Sequence, residues 1–260
     1  KWGRVENMSN KKPNDNTKLS FRTILLRGIL YVIVVPTVII LLFVGGFYLK
    51  LCAEASQAQA AMKTYLHSKY GEEFIVERPG KNGSGLGVEG WFEATAYPKN
   101  HTDIRFIVML SSSGKHDGYA GAVWSKEETD RLKPIIQRIF NKDVVYSVTI
   151  QSSMTLQTKD IQVDGVIPHF TQAAAQYKQQ IPYNITIQKT HQTREYQEKM
   201  HIVDNLKELA RDLPDTVDTT IRYQAQTSRG KKFDLDITIT ALKSTPQETL
   251  VTMFQEKESL

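Results

Sequence analysis

The longest apolar stretch of the chain lies near its N-terminus. Residues 28–49 read GILYVIVVPTVIILLFVGGFYL and contain no charged side chain. As an α-helix, a stretch of this length would extend about 33 Å, and the hydrocarbon core of a bilayer is about 30 Å thick. A helix buried inside a soluble protein rarely stays apolar on every face for so long. The pattern therefore predicts a transmembrane helix over residues 28–49 that spans a lipid bilayer once.

Charge is distributed unevenly around this stretch. Residues 1–27 hold seven of the 33 basic residues and two of the 28 acidic residues, so the formal charge of +5 belongs to this segment. Residues 28–260 hold 26 of each and are neutral, which argues against nucleic acid as a partner. Lysine and arginine favour the cytoplasmic side of a membrane. We therefore predict a basic cytoplasmic tail over residues 1–27 and an extracellular C-terminal part.

Two features after the apolar stretch leave alternatives open. Ala53-Glu54-Ala55 and Ala58-Gln59-Ala60 have the small-x-small form of a signal peptidase site. The apolar stretch is longer than the core of a signal peptide, about 7–15 residues, which favours an uncleaved anchor. Cys52 is the single cysteine, so an intrachain disulfide is excluded, while a homodimer bridged at Cys52 stays open.

Alternating and helical patterns fill residues 50–260. Alternation predicts strands over residues 73–77, 91–97, 103–110, 144–150, 183–187, 217–226 and 233–241. Helical periodicity predicts helices over residues 54–70, 168–180 and 194–213, with two more that begin at Ser125 and Thr245. The fold class is therefore α+β, with one N-terminal transmembrane helix followed by two small α+β units. We expect these units over residues 50–158 and 159–260, because the stretch 151–165 between them is polar.

The predicted helix over residues 194–213 carries the strongest candidate for a metal site. His191, Glu195, Glu198 and His201 lie within about 120° of one another on a helical wheel. Imidazoles and carboxylates bind Zn²⁺ or Mn²⁺. This arc lies beside or opposite the apolar stripe, so a solvated face is the favoured interpretation. The stripe itself should be buried in the core rather than form a coiled coil; it consists of Tyr196, Met200, Val203, Leu206, Ala210 and Leu213.

Catalytic motifs are absent from the sequence. It contains no P-loop, no H-E-x-x-H and no G-x-S-x-G. Gly85, Gly87 and Gly90 fit G-x-G-x-x-G, but a strand-like segment follows where a dinucleotide site needs a helix. No catalytic residue and no cofactor are predicted. An exported hydrolase would need converging carboxylates, and the candidates for that role are Asp160, Asp164, Glu195 and Glu198.

Three consecutive segments of the chain are similar to segments of a known group of proteins. They read YLHSKYGEEFIVE, WFEATAYPKN and DIRFIV and together cover about residues 60–110. They resemble the start of exported domains in uncharacterised membrane-anchored proteins and lipoproteins of Gram-positive bacteria. The resemblance implies a place in the cell envelope and carries over no catalytic residue. The lipidation box of the lipoprotein members is missing, because Leu49-Lys50-Leu51 precedes Cys52.

These observations lead to one hypothesis of function and two alternatives. We expect a single-pass membrane-anchored protein whose extracytoplasmic part is a non-enzymatic binding or interaction module of the cell envelope. Its partner would be an envelope protein or polymer. The first alternative is an exported hydrolase acting on cell-wall polymer or peptide, and the second is a structural or signalling subunit of a membrane machine.

Overall fold

A computed structural model describes residues 21–83, 90–141, 144–151, 163–189, 196–226 and 232–257. The chain divides into two compact units, one ending at Ala53 and one beginning at Glu54. The fold is α+β, with a long N-terminal apolar helix and two five-stranded sheets, so the α+β part of the prediction is confirmed.

Helix α1 runs from Phe21 to Tyr70 and contains both the apolar stretch and the predicted helix over residues 54–70. From Ala55 onward its buried positions recur every three or four residues, which is the spacing of one helical face. That face consists of Ala55, Ala58, Met62, Leu66 and Tyr70. The helix ends where Gly71 adopts a φ of 73° and its N–H donates to the His67 carbonyl (2.8 Å).

The first sheet follows α1 and is antiparallel. Its strands are β1 (Phe74–Val76), β2 (Gly80–Asn82), β3 (Trp91–Pro98), β4 (Phe106–Ser111) and β5 (Gly114–Asp117). The order is β1-β3-β4-β5, and β2 also pairs with β3. Strands β3 and β4 correspond to the strands predicted over residues 91–97 and 103–110, and they pair with each other. Strands β2 and β5 were not among the predicted strands. Gly85 and Gly87 lie outside the described residues.

Helix α2 runs from Tyr119 to Phe140, so the predicted start at Ser125 is wrong. Ser125 lies inside the helix, where its hydroxyl donates to the Gly121 carbonyl (2.6 Å) and accepts from the Ile150 N–H (2.8 Å). The helix begins six residues earlier because burial of Tyr119 and Trp124 favours helical backbone through the intervening residues.

The second sheet contains one parallel pair. After β6 (Val144–Ile150) come α3 (Phe170–Tyr177), a 3-10 turn, β7 (Pro182–Lys189), α4 (Tyr196–Arg211), β8 (Asp218–Gln226), β9 (Lys232–Thr238), α5 (Ile239–Ser244), α6 (Gln247–Thr252) and β10 (Gln255–Lys257). The strand order is β10-β9-β8-β7-β6. Strands β7 and β8 are parallel, with α4 between them in the chain, and the other pairs are antiparallel.

Two boundaries near the C-terminus differ from the prediction. The strand predicted over residues 233–241 ends at Thr238, whose side chain caps α5 by accepting from the Ala241 N–H (3.3 Å). Thr245 follows α5, and Pro246 takes the N-cap position of α6 that the sequence assigned to Thr245. Apolar and polar residues keep alternating past the end of β9 into the short helix α5. The pattern alone therefore could not place the boundary between this strand and this helix.

Each sheet has its own apolar core, and Ile167 packs against both. The stripe of α4 is buried in the second core at Val203, Leu206, Ala210 and Leu213, with Met200 packed against it, as predicted. The predicted boundary between residues 158 and 159 lies outside the described residues and stays a prediction.

Candidate functional site

The apolar part of α1 is exposed along its whole length. Seventeen large apolar side chains between Ile29 and Leu49 are 45–75% exposed. Among the helices that the structure describes, this is the one long and apolar enough to cross a membrane; its most apolar window has a mean hydropathy of 2.7. A signal sequence would meet the same criterion.

A buried carboxylate, Asp117, lies at the end of β5. Asp117 pairs with Val108 of β4, and its side chain reaches the last turns of α1. Asp117 Oδ2 accepts from the Tyr65 hydroxyl (2.7 Å) and from Lys69 Nζ (2.9 Å). Oδ1 accepts from the Tyr70 hydroxyl (2.7 Å) and from the Tyr119 N–H (3.1 Å). Two phenols, one ammonium and one backbone amide therefore surround a carboxylate whose side chain is 0% exposed.

These contacts offset the cost of burying the charge. An isolated carboxylate inside a protein costs several kcal/mol, and opposite charge with good hydrogen bonds repays it. Burial raises the pKa of Tyr70, and the negative charge of Asp117 raises it further. Burial likewise raises the pKa of Tyr119, whose hydroxyl donates to both oxygens of Glu72 (3.3 Å each). Both phenols therefore keep their protons at neutral pH and act as donors.

A second buried carboxylate, Glu128, lies in the middle of α2. Arg131, three residues later on the same helix, donates from Nε and Nη2 to the two carboxylate oxygens, each at 2.7 Å. The Tyr183 hydroxyl donates to Oε2 at 2.7 Å. Arg131 Nη1 also reaches the Asp212 carbonyl (3.2 Å), so the cluster joins α2, β7 and the end of α4.

The Glu128 cluster borders a cleft of about 350 Å³. Among the residues that line the cleft, Phe170 and Leu213 are apolar and buried, and Thr171 and Arg211 are exposed. Burial raises the pKa of Tyr183, and the charge of Glu128 adds to the rise while Arg131 opposes it. Both clusters join segments that are distant in the chain: Asp117 binds residues of α1, and Glu128 binds Tyr183 of β7.

Within the described part of the chain, the structure does not bring the predicted metal ligands together. His191 and Glu195 lie outside them. Glu198 accepts from Lys189 Nζ (3.0 Å), and His201 is exposed. Within the described ranges, no group of three or more His, Cys, Asp or Glu residues is arranged to hold a metal ion.

The carboxylates predicted for a hydrolase are likewise not seen to converge. Asp160 and Glu195 lie outside the described residues, and Asp164 is exposed. Sequence reasoning missed both buried carboxylates. A signal for Glu128 was present, because Trp124, Glu128 and Leu132 share one helical face at intervals of four residues.

Comparisons with known proteins give little. No family model matches the chain, and no curated protein matches it. A crystal structure of a DUF5037 family protein from Ruminococcus gnavus ATCC 29149 at 2.55 Å resolution is similar, with 18% sequence identity and a TM-score of 0.41. The similarity covers 65% of this chain and 75% of that chain. At this TM-score the likeness carries no argument, so the function is argued from the residues of this chain.

Proposed function

We propose that this chain is a single-pass membrane protein of the cell envelope whose C-terminal part binds another envelope protein or a polymer. Residues 1–27 would lie in the cytoplasm, residues 28–49 in the bilayer, and residues 50–260 outside. The observation that carries the proposal is the exposed apolar stretch of α1. Burying one large apolar side chain contributes about 1.5–3 kcal/mol, so exposure of seventeen such side chains to water would be very unfavourable.

At one of the two candidate cleavage sites, Ala58-Gln59-Ala60, the contacts of the segment support an uncleaved anchor. Cleavage after Ala60 would remove Ala58, which is 3% exposed. It would also remove Gln59, whose side-chain amide donates to the Val76 carbonyl (2.6 Å) and ties α1 to β1. A mature chain that began at Ala61 would lose both contacts.

A binding role is favoured over a hydrolytic one by the state of the carboxylates. Asp117 and Glu128 are the two buried acids among the described residues. Asp117 pairs with Lys69 and accepts from two tyrosine hydroxyls, and Glu128 pairs with Arg131 and accepts from one. A general acid or base must be free to exchange a proton with substrate. These carboxylates instead support the shape of the folded region.

Protease accessibility on intact spheroplasts tests the location. We expect added protease to digest residues 54–260 while a cytoplasmic marker protein stays intact. Protection of the C-terminal part until the membrane is dissolved by detergent would contradict the proposed orientation. Recovery of the full chain from the soluble fraction after high-salt washing would contradict the anchor itself.

A further inference from the structure

Strand β6 forms one outer edge of the second sheet, and its sequence lacks the protection that edge strands normally carry. The strand order places β7 on one side of β6 and no described strand on the other. Its seven residues, VVYSVTI, contain no charge, no proline and no glycine. Edge strands are normally short or carry charges or prolines, because an open row of peptide groups pairs readily with another chain. An uncharged β-forming segment that stays uncovered is prone to aggregation.

The other edge strands of the two sheets are shorter than β6. Strands β1, β2 and β10 have three residues each, and β5 has four. Charged side chains also lie in β5, at Lys115 and Asp117, and in β10, at Glu256 and Lys257. Among the described strands, β6 is therefore the edge best able to accept an added strand.

The peptide groups on the open edge of β6 can be identified from a hydrogen bond to α2. The Ile150 N–H donates away from β7, to the Ser125 hydroxyl (2.8 Å). Peptide groups point alternately to the two sides of an antiparallel strand, so those of Val148 and Tyr146 also point away from β7. Within the described ranges no hydrogen bond occupies them. Each residue offers one donor and one acceptor to a neighbouring chain.

A groove of about 480 Å³ lies beside the C-terminal end of β6. Volumes of about 300–1,000 Å³ are typical of binding sites. Its lining comes from the end of β6, from residues 103–107 at the start of β4, and from the first half of α2. The apolar members of the lining are Ile104, Phe106, Ile107, Ala122, Val148 and Ile150. The open edge of β6 therefore continues into a groove that can accept an apolar side chain.

The charged side chains of the groove are already paired. Lys126 pairs with Asp130 (2.7 Å) and lies 3.8 Å from Asp103. Arg105 pairs with Glu77. Each charged side chain of the lining therefore has an opposite charge beside it, and an uncharged occupant matches the groove best.

We propose that an extended, uncharged peptide segment of another protein pairs with β6 as an added antiparallel strand and places an apolar side chain in the groove. The peptide groups of Tyr146 and Val148 exchange hydrogen bonds with this segment. A polypeptide backbone carries donors and acceptors at the matching spacing, which a sugar polymer does not. Main-chain pairing supplies the affinity, and the groove selects the side chain. The inference rests on the proposed binding role and names the class of partner for it.

Three synthetic peptides test the pairing on the full chain in detergent micelles. The parent peptide, KTVTVTK, has valines on one face and threonines on the other. One derivative is N-methylated at both valines, and the other at two threonines. Residues directly opposite each other in an antiparallel pair share a face of the sheet, so valines that face the groove also direct their N–H groups to β6.

We expect fluorescence anisotropy of the labelled peptides to give dissociation constants below about 100 µM for the parent and the threonine-methylated peptide. The valine-methylated peptide should bind at least about tenfold more weakly, because its methyl groups replace the N–H groups that meet β6. Equal binding of the two methylated peptides would overturn the proposal. So would the absence of parent binding up to about 1 mM.

Two pairs of variants assign the binding to this groove. Ala122→Leu enlarges a side chain of the lining and should weaken binding of the parent peptide by about tenfold; Ala175→Leu, at an exposed alanine of α3 outside the groove, is the control. If Ala122→Leu fails to fold, Ile107→Lys carries the test by adding a charge to the lining. Its control is Ile75→Lys, because the two isoleucines are 45% and 38% exposed and Ile75 lies outside the groove. Unchanged binding in the folded groove variant would overturn the site.

A second copy of the chain is the competing occupant of the edge. We expect Ser147→Lys, in the middle of β6, to leave the sedimentation of the full chain in micelles unchanged. A dimer that this substitution dissociates would show that β6 pairs with its own copy and would overturn the proposal. The peptide measurements do not depend on which side of the membrane β6 faces. Failure of peptide binding would leave the proposed anchor intact, and peptide binding would stand even if the protease experiment placed residues 54–260 in the cytoplasm.

Discussion

Asp117 and Glu128 are both buried carboxylates, but the cations that pair with them lie at very different separations in the sequence. Lys69, Tyr65 and Tyr70 reach Asp117 from 47–52 positions away in sequence. Glu128 receives its cation from the same helix, three positions later, and one tyrosine from β7. The first carboxylate therefore fastens α1 to the first sheet, whereas the second is neutralised within its own helix and adds one tertiary contact.

The cations differ as well. The Lys69 side chain is 13% exposed and donates from a single ammonium. The Arg131 side chain is 36% exposed, and its planar guanidinium donates to both oxygens of Glu128. A charge left behind by mutation costs more when it is better buried. The Asp117 cluster should therefore be the more sensitive of the two to removal of its carboxylate.

The largest effect is expected for Asp117→Asn. The substitution leaves the Lys69 ammonium without a counter-charge in a buried place and should lower the free energy of unfolding by about 3 kcal/mol. Urea unfolding of the full chain in detergent micelles at neutral pH measures it. Asp103→Asn, at a carboxylate 59% exposed, is the control and should change stability by less than about 0.5 kcal/mol. Equal effects of both substitutions would remove the role given to Asp117.

Glu128→Gln should cost less, about 2 kcal/mol. Water reaches the partly exposed guanidinium of Arg131, and the glutamine carbonyl still accepts from Tyr183. The same urea experiment applies, with Glu208→Gln, at a carboxylate 48% exposed, as control. A loss larger than that of Asp117→Asn would reverse the comparison between the clusters.

The tyrosines of both clusters should make the free energy of unfolding depend on pH in the alkaline range. The pKa values of Tyr70 and Tyr183 are raised above the ordinary 10.0 by burial and by the neighbouring carboxylates. The unfolded chain loses these protons first, so the stabilisation is complete below pH 10 and declines as pH rises above it. At about pH 11 each tyrosine should have lost about 1.4 kcal/mol.

Phenylalanine variants isolate this contribution. Tyr70→Phe and Tyr183→Phe should each flatten the decline of unfolding free energy between about pH 9 and 11, measured by urea titration at several pH values. Tyr97→Phe, in β3 but outside both clusters, is the control. A decline that is equally steep in all variants would show that these phenols titrate normally.

The smallest effect is expected for Arg131→Lys, about 1 kcal/mol. Lysine keeps the charge and loses one of the two hydrogen bonds to Glu128. Thermal unfolding compared with Arg138→Lys, where the arginine is 62% exposed, gives the measurement. No difference between the two variants would mean that the fork geometry at Glu128 contributes nothing beyond its charge.

Much of the fold could be predicted because most strands bury one face. Strands β3, β4, β6, β7, β8 and β9 alternate over six to nine residues, which is long enough to be recognised. Strands β2, β5 and β10 have three or four residues, and pairing with a neighbour, rather than their own pattern, defines them. The predicted helix start at Ser125 was wrong because Ser125 and Glu128, spaced like an N-cap residue and its partner, both lie inside α2, where Glu128 is buried.

The buried clusters were harder to predict than the helices that carry them. Asp117 ends a short polar strand, and its partners lie in a helix about fifty residues earlier. The sequence around Asp117 does not indicate that these residues of the helix come close to it in space. The exposure of residues 28–49 could be predicted well, because an apolar stretch without a polar face has no core to enter in a chain of this size.

The parallel pairing of β7 and β8 has a consequence for how the second sheet forms. Strands β8 and β9 are neighbours in sequence and can pair as a hairpin within microseconds. Strand β7 can pair with β8 only after α4 has been synthesised, because two parallel strands need a crossover connection between them and α4 forms it here. During synthesis the inner edge of β7 stays open while about thirty more residues leave the ribosome. We expect this edge, in a strand whose buried face carries Ile185 and Ile187, to be the point of greatest exposure to aggregation and to chaperones.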